Sequence, residues 1–320
     1  MLPVSSVNKG GTSFLDALFT ATSATCVTGL VVHDTATYWS VFGQIVILLM
    51  IQIGGMGVVT ISVALATISR KRIGLMQRST MQESIAAPSI GGIVRMARFI
   101  LKAAIMIELI GAILLMPVFC KEFGAGRGIC YSLFHSISAF CNAGFDLMGD
   151  KGAFSSLTGY ERNGLVNIVI MGLIIIGGIG FLTWDDIRRN KFRFKAYRMQ
   201  SKVILVMTVI LILAPFFYFF FGELSRQVWG NMSFGERIWA AAFQAVTPRT
   251  AGYNTIDLTR LSETGQAIMI LLMLIGGSPG STAGGMKTTT IAVMFMTAFG
   301  VFHRRAETEC FGRRIEENTV

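Results

Sequence analysis

The chain holds 320 residues, of which 52% are hydrophobic and only 14% charged, and its mean hydropathy is +0.61. So apolar a composition excludes a soluble domain with an ordinary polar surface and makes a membrane protein the default. The net charge of +10 reads as membrane topology rather than affinity for nucleic acid, because the basic run "RRNKFRFK" directly follows an apolar stretch.

Five stretches are free of Asp, Glu, Lys and Arg over a length that crosses, or nearly crosses, roughly 30 Å of hydrocarbon. They are residues 35–69, 103–120 (interrupted by Glu108), 163–184, 203–222 and 264–286, the last running on apolar after Lys287 to Phe302. The first residues lack a basic segment followed by an apolar one, so no cleavable signal peptide is expected. Residues 70–102, 185–202 and the tail from His303 carry seven, seven and four Lys or Arg; the alternate segments carry one, four and four. The excess of cations on the cytoplasmic side of membrane proteins predicts an outside N-terminus and a cytoplasmic C-terminus.

In chain order, the opening stretch "ALFTATSATCVTGL" at 17–30 recurs without gaps as "SLFHSISAFCNAGF" at 132–145, matching Leu-Phe, Ser-Ala, Cys and Gly. A third copy, "AAFQAVTPRTAGY" at 241–253, keeps Phe and Gly but is one residue shorter between them. Each copy precedes an apolar stretch with Ile-Gly-Gly: Ile53-Gly54-Gly55, Ile176-Gly177-Gly178 and Ile275-Gly276-Gly277. The spacing from Gly29 to Gly144 to Gly252 is 115 and then 108 residues, a membrane repeat too long for a solenoid. The unit reads as helix, re-entrant pore loop, helix, and the fold class is an all-α polytopic membrane protein with such units around a pseudo-symmetric ion pore. Boundaries are expected at 1–68 for the first unit, lacking its leading helix, then 69–184, 185–302 with a broken second helix, and a basic cytoplasmic tail at 303–320.

Short helices near 14–24, 130–139 and 236–246 are expected to enter from outside and end at mid-membrane. Irregular backbone at that depth is tolerated only where it lines a watery path, and the partial negative charge of a helix C-terminus favours a cation there. The residues that follow are Val27, Thr28 and Gly29; Asn142, Ala143 and Gly144; and Thr250, Ala251 and Gly252. Glycine suits a row of carbonyls aimed one way, which a Cβ disfavours, and in potassium channels such carbonyls replace the ion's hydration shell. For one copy alone, a packing glycine beside an ordinary turn serves as well; three matching copies favour the lining.

The run with Gly276, Gly277, Pro279, Gly280, Gly284 and Gly285 cannot stay helical, so the last stretch breaks at depth, a pointer to an ion or substrate path. A seam of small residues between helices explains the glycines but not Pro279 or the Ser-Thr cluster. Lys287 either closes the path electrostatically or satisfies loop carbonyls. Glu108 is expected to pair with a neighbouring helix and Arg249 with an outer carboxylate, and His33, His135 and His303 to be structural. The five cysteines show no metal spacing, although Cys120 and Cys130 share one outer segment and are weak candidates to pair. No nucleophile-base, paired-carboxylate or phosphate-cradling arrangement is present; "GSTAGGMKT" lacks phosphate-loop spacing and lies in an apolar stretch. The chain is expected not to be an enzyme.

The motifs "SATCVTGLVVHDT", "SISAFCNAGFDL", "VTPRTAGYNTID" and above all "IGGSPGSTAGGMKTTT" resemble the Trk/Ktr superfamily of potassium transporters, most closely its KtrB-like membrane subunits. The resemblance covers essentially the whole chain. It implies four units around one pore with one filter glycine each, here Gly29, Gly144 and Gly252, and potassium as the ion held at the filter. Glycine rather than serine at the first position goes with potassium transport in related plant proteins. Gly276, Gly277, Ser278, Pro279, Gly280, Ser281, Thr282, Gly284 and Gly285, with Lys287 following, match the family's intramembrane gate. The resemblance further implies a homodimer in the cell membrane on a cytosolic nucleotide-binding regulatory ring (KtrA/TrkA-like), lipid contacts, no nucleic acid and no organic cofactor. A fourth unit is absent, so a fragment of a longer product is expected rather than a chain completed by another. The rival readings are a secondary transporter of sodium or a small solute, and a non-transporting fragment.

Overall fold

A computed structural model describes residues 2–57, 74–85, 91–191, 193–230, 232–304 and 309–314. The end of the first apolar stretch and the basic residues 70–72 lie outside them. The helices are α1 (Phe14–Cys26), α2 (Thr35–Tyr38), α3 (Val41–Met56), α4 (Leu75–Ile85), α5 (Ile93–Phe123), α6 (Ala125–Phe140), α7 (Gly164–Gly178), α8 (Phe181–Asn190), α9 (Met199–Phe217), α10 (Phe234–Val246), α11 (Glu263–Leu274) and α12 (Thr288–Phe302). In the tail, Glu309–Cys310 and Arg313–Arg314 pair as a short antiparallel hairpin.

Local chemistry sets many of the starts. Ser13 caps α1 by accepting from the Asp16 amide at 3.1 Å, Asn163 caps α7, and Ser233 with Glu236 forms a reciprocal capping box on α10. α5 has 31 residues, about 46 Å at the usual helical rise. It and Met199–Glu223 are the two single helices, among the described residues, long and apolar enough to cross a membrane.

The stretch 163–184 is not one straight crossing. α7 ends at Gly178, Gly180 takes a φ of +88°, and α8 leaves at 98° to α7. The cause is a competing set of hydrogen bonds. The Gly177 and Gly178 carbonyls accept from Thr282 N at 3.3 Å and Ser278 N at 2.9 Å instead of continuing a helical ladder.

α1 packs on α3, α6 packs between α5 and α7, and α10 packs on α9. The inner ends of all three short helices share one core that includes Ala24, Ala139, Phe140, Val246 and Tyr253. The repeated Ile-Gly-Gly owes its glycines to close approach. A Cβ on Gly54 would lie 1.9 Å from the Thr25 carbonyl oxygen, and one on Gly177 2.1 Å from that of Phe140. Thr25 and Phe140 hold equivalent places in the internal alignment. In the third unit, Gly276 meets the Gly284 carbonyl of its own loop instead, at 1.9 Å. Gly177→Ala is therefore expected to lower stability by about 1–3 kcal/mol through overpacking. Gly172→Ala, where nothing lies within 4 Å of an added Cβ, is expected to be neutral; thermal unfolding in detergent compares the two.

Glu108 is 4% exposed and pairs as expected with another helix: Gln52 Nε2 of α3 donates to its Oε1 at 2.9 Å. Its main-chain carbonyl accepts from Ser136 Oγ at 2.6 Å. The histidines are structural: His33 stacks on Tyr38 beside Asp16, His135 accepts from the Leu147 amide, and His303 contacts the Phe299 carbonyl. Cys120 and Cys130 are both free, so the suggested pairing does not form.

Candidate ion filter and gate

Each short helix ends in the same backbone figure. The residue two before the glycine sits in the left-handed region, Val27 at φ +58°, Asn142 at +56° and Thr250 at +63°. The glycine itself follows there, Gly29 at +75°, Gly144 at +70° and Gly252 at +81°. The non-glycine members each carry about 1–3 kcal/mol of strain that the surroundings must hold.

What holds it is also repeated. The amides of Thr28, Ala143 and Ala251 donate back to the carbonyls of Ser23, Ser138 and Thr247 at 2.9, 2.8 and 3.1 Å. The hydroxyls of the same three residues reach past the glycine. Ser23 Oγ donates to the Leu30 carbonyl at 2.6 Å, Ser138 Oγ to that of Phe145 at 2.8 Å, and Thr247 Oγ1 to that of Tyr253. Each hydroxyl thus straps its loop shut, and the third strap spans one residue fewer, as the shorter third copy requires. Sequence reasoning did not assign Ser23, Ser138 or Thr247 a role, although the first two sit in the matched Ser-Ala pairs.

The three loops meet. A Cβ on Gly29 would lie 2.6 Å from the Ala143 carbonyl oxygen and 3.6 Å from Gly144 Cα, and one on Gly144 2.5 Å from the Ala251 carbonyl oxygen and 3.1 Å from Gly252 Cα. Gly29, Gly144 and Gly252 form an arc with Gly144 in the middle. Of the predicted filter residues, Gly29, Ala143, Gly144, Ala251 and Gly252 are brought together across the three loops, and no group of three or more His, Cys, Asp or Glu side chains that could hold a metal occurs among the described residues.

Between α11 and α12 the chain unwinds and folds on itself. Gly276 N donates to the Met286 carbonyl at 3.0 Å, Gly277 N to that of Gly284 at 3.1 Å, and Thr288 N to that of Gly277 at 3.2 Å. Ser278 Oγ meets Thr288 Oγ1 at 3.0 Å, and Ser281 Oγ accepts from the Ala283 amide at 3.3 Å. The loop lies directly against the filter cluster. Thr282 Oγ1 donates to the Phe140 carbonyl at 2.9 Å and touches the Asn142 amide at 3.3 Å; a Cβ on Gly285 would stand 3.5 Å from Thr250 Cγ2. Its other side is pinned to the bend in the second unit, where Phe181 N donates to the Gly280 carbonyl at 2.7 Å.

Residues 5–320 match the family TrkH, described as a cation transport protein. The chain belongs to the TrkH family. It is 41% identical over 319 residues to the potassium/sodium uptake protein NtpJ of Enterococcus hirae, covering 100% of this chain and 69% of that one. It is 41% identical over 317 residues to the Ktr system potassium uptake protein B of Bacillus subtilis, covering 99% and 69%. The crystal structure of the potassium transporter TrkH from Vibrio parahaemolyticus matches with a TM-score of 0.68 at 19% identity, covering 95% of this chain. That likeness concerns the fold, and this chain spans 60% of the length of the solved transporter.

Two charged residues of this TrkH-family chain border the cluster. Lys287 Nζ donates to the Ala283 carbonyl at 2.9 Å, which favours the loop-satisfying alternative for it. Arg249 does not reach an outer carboxylate. It is 3% exposed, and its Nη2 donates to Thr208 Oγ1 of α9 at 3.4 Å. The side chain is thus buried against α9, and its Nε and Nη1 find no partner among the described residues.

Proposed function

We propose that this chain lines a potassium-selective path across the cytoplasmic membrane, with its N-terminus outside and its C-terminus in the cytoplasm. The observation that carries the reading is the meeting of Gly29, Gly144 and Gly252, each in a loop closed by the same two hydrogen bonds. Carbonyls of Val27, Thr28 and Gly29, of Asn142, Ala143 and Gly144, and of Thr250, Ala251 and Gly252 stand in for the ion's water shell. Held rigidly by their straps, they suit the larger, more easily dehydrated ion. The loop from Gly276 to Gly285 is the gate, and Lys287 braces it from the far side.

In this reading 1–68, 69–184 and 185–302 are successive pore-loop units and 303–320 a cytoplasmic tail; the bend at α8 joins the second to the third. Names of relatives containing "Ktr system" support partner subunits; in this reading they are a cytosolic nucleotide-binding regulatory ring on a homodimeric membrane part. Potassium is the cargo, no organic cofactor is called for, and the protein performs no covalent chemistry. Rubidium and sodium uptake into proteoliposomes holding the purified protein tests this. Rubidium uptake that potassium blocks and sodium does not is the expected result. Uptake of sodium or an organic solute with rubidium excluded overturns it.

A further inference from the structure

The cation charge of the second connecting segment is concentrated around a cavity far from the filter. About 240 Å³ of space opens between the first turn of α5, the outer face of α8 and the start of α9, lined by Arg95, Arg188, Arg189 and Arg198. It lies at the end of α5 opposite α6, hence on the side of the membrane away from the pore-loop entrances.

Three of the arginines are tethered by buried carboxylates, although their side chains stay 40–62% exposed. Asp185, 1% exposed, takes Arg189 Nε at 2.8 Å and Arg188 Nη2 at 3.5 Å. Asp186, 2% exposed, takes Arg198 Nε at 3.4 Å and is itself fixed by Ser201 Oγ at 2.6 Å. Arg188 is also held flat over the Phe99 ring at 4.3 Å. Four guanidinium groups against two carboxylates leave a surplus of two positive charges, and the aspartates are sunk beneath the arginines. Arg95 has no carboxylate partner among the described residues, and Arg198 Nη1 is buried without a partner. Gly91, Gly92 and Ile93 line the same space, which brings the positive end of the α5 dipole to it.

Guanidinium groups tethered on one edge, with spare donors beside a helix start, match a tetrahedral oxyanion. Met96, Phe99 and Leu182 also line the cavity, giving an apolar flank alongside a lipid-facing helix. We propose that this cavity binds a phosphate group, carried by an anionic phospholipid headgroup or by a soluble phosphate, and that its occupancy sets the position of α8. The second half rests on the gate reading above: the first residue of α8, Phe181, is the one whose amide holds the Gly280 carbonyl. A ligand that draws Arg188 and Arg189 together therefore pulls on the gate through one short helix.

Binding is measured without transport, so its outcome is separate from that of the gate. The purified chain in neutral detergent is titrated with phosphatidylglycerol, phosphatidylcholine and inorganic phosphate, and bound species are counted by native mass spectrometry. Arg95→Gln with Arg188→Gln is the cavity variant. Lys191→Gln with Lys195→Gln removes the same charge outside the cavity, and thermal unfolding verifies that both fold. Phosphatidylglycerol retained over phosphatidylcholine, weakened at least about tenfold in the cavity variant and about twofold or less in the control, is the expected result for a lipid. The same pattern for inorganic phosphate, with no preference among lipids, assigns the site to a soluble phosphate. Equal losses in both variants, or no preference for any phosphate over phosphatidylcholine, overturn the proposal.

Discussion

Gly29→Ser is expected to reduce the discrimination of the transporter between potassium and sodium by roughly 5- to 150-fold. The added Cβ falls 2.6 Å from the Ala143 carbonyl oxygen, at a residue whose φ is +75°. A side chain there brings about 1–3 kcal/mol of backbone strain, with each 1.4 kcal/mol worth a factor of ten. The relief open to the loop is to turn the Gly29 carbonyl or push Ala143 aside, and either distorts the proposed ring of carbonyl oxygens. The same reasoning ranks the three sites. Gly144 has the Ala251 carbonyl oxygen at 2.5 Å, while Gly252 has nothing nearer than Gly144 Cα at 3.5 Å. Serine should therefore be most harmful at Gly144 and Gly29 and least at Gly252, read as relative rubidium and sodium uptake in vesicles, with thermal unfolding as the control. Unchanged discrimination in all three variants removes the filter assignment.

Removing residues 277–284 is expected to raise potassium flux severalfold. The ends to be joined already lie close: Gly285 Cα stands 2.8 Å from where a Cβ on Gly276 would be. The cut removes the contacts that Thr282 makes with Phe140 and Asn142. Thr282→Val is the milder version. It loses the hydroxyl bond to the Phe140 carbonyl, a net 0.5–1.5 kcal/mol for an ordinary hydrogen bond, or about two- to tenfold in the open population. Thr282→Ser keeps that bond and should behave as the parent. If the deletion folds and flux falls or stays level, the loop is a structural brace rather than a barrier.

Much of this arrangement was legible in the sequence because it depends on backbone chemistry that few residues supply. Three glycines at matching offsets, and a run with five glycines and one proline between residues 276 and 285, leave little conformational choice. The hydroxyl straps were harder to see, since a serine near a helix end serves many purposes and only coordinates reveal which carbonyl it reaches. The bend after α7 was missed for a related reason. Gly177, Gly178 and Gly180 lie in an otherwise uniform apolar run, and the partners that end the helix are amides 100 residues further on. Arg249 was misjudged because its charge suggested a carboxylate, whereas the nearest acceptor on α9 is the hydroxyl of Thr208.

The straps from Ser23, Ser138 and Thr247 each close within their own loop. A loop so closed holds its own hydrogen bonds even where the side chains between the units differ, so one scaffold serves three unlike sequences. Ionic preference can then drift through the unlike residues Thr28, Ala143 and Ala251, one copy at a time, while the shared scaffold stays as it is.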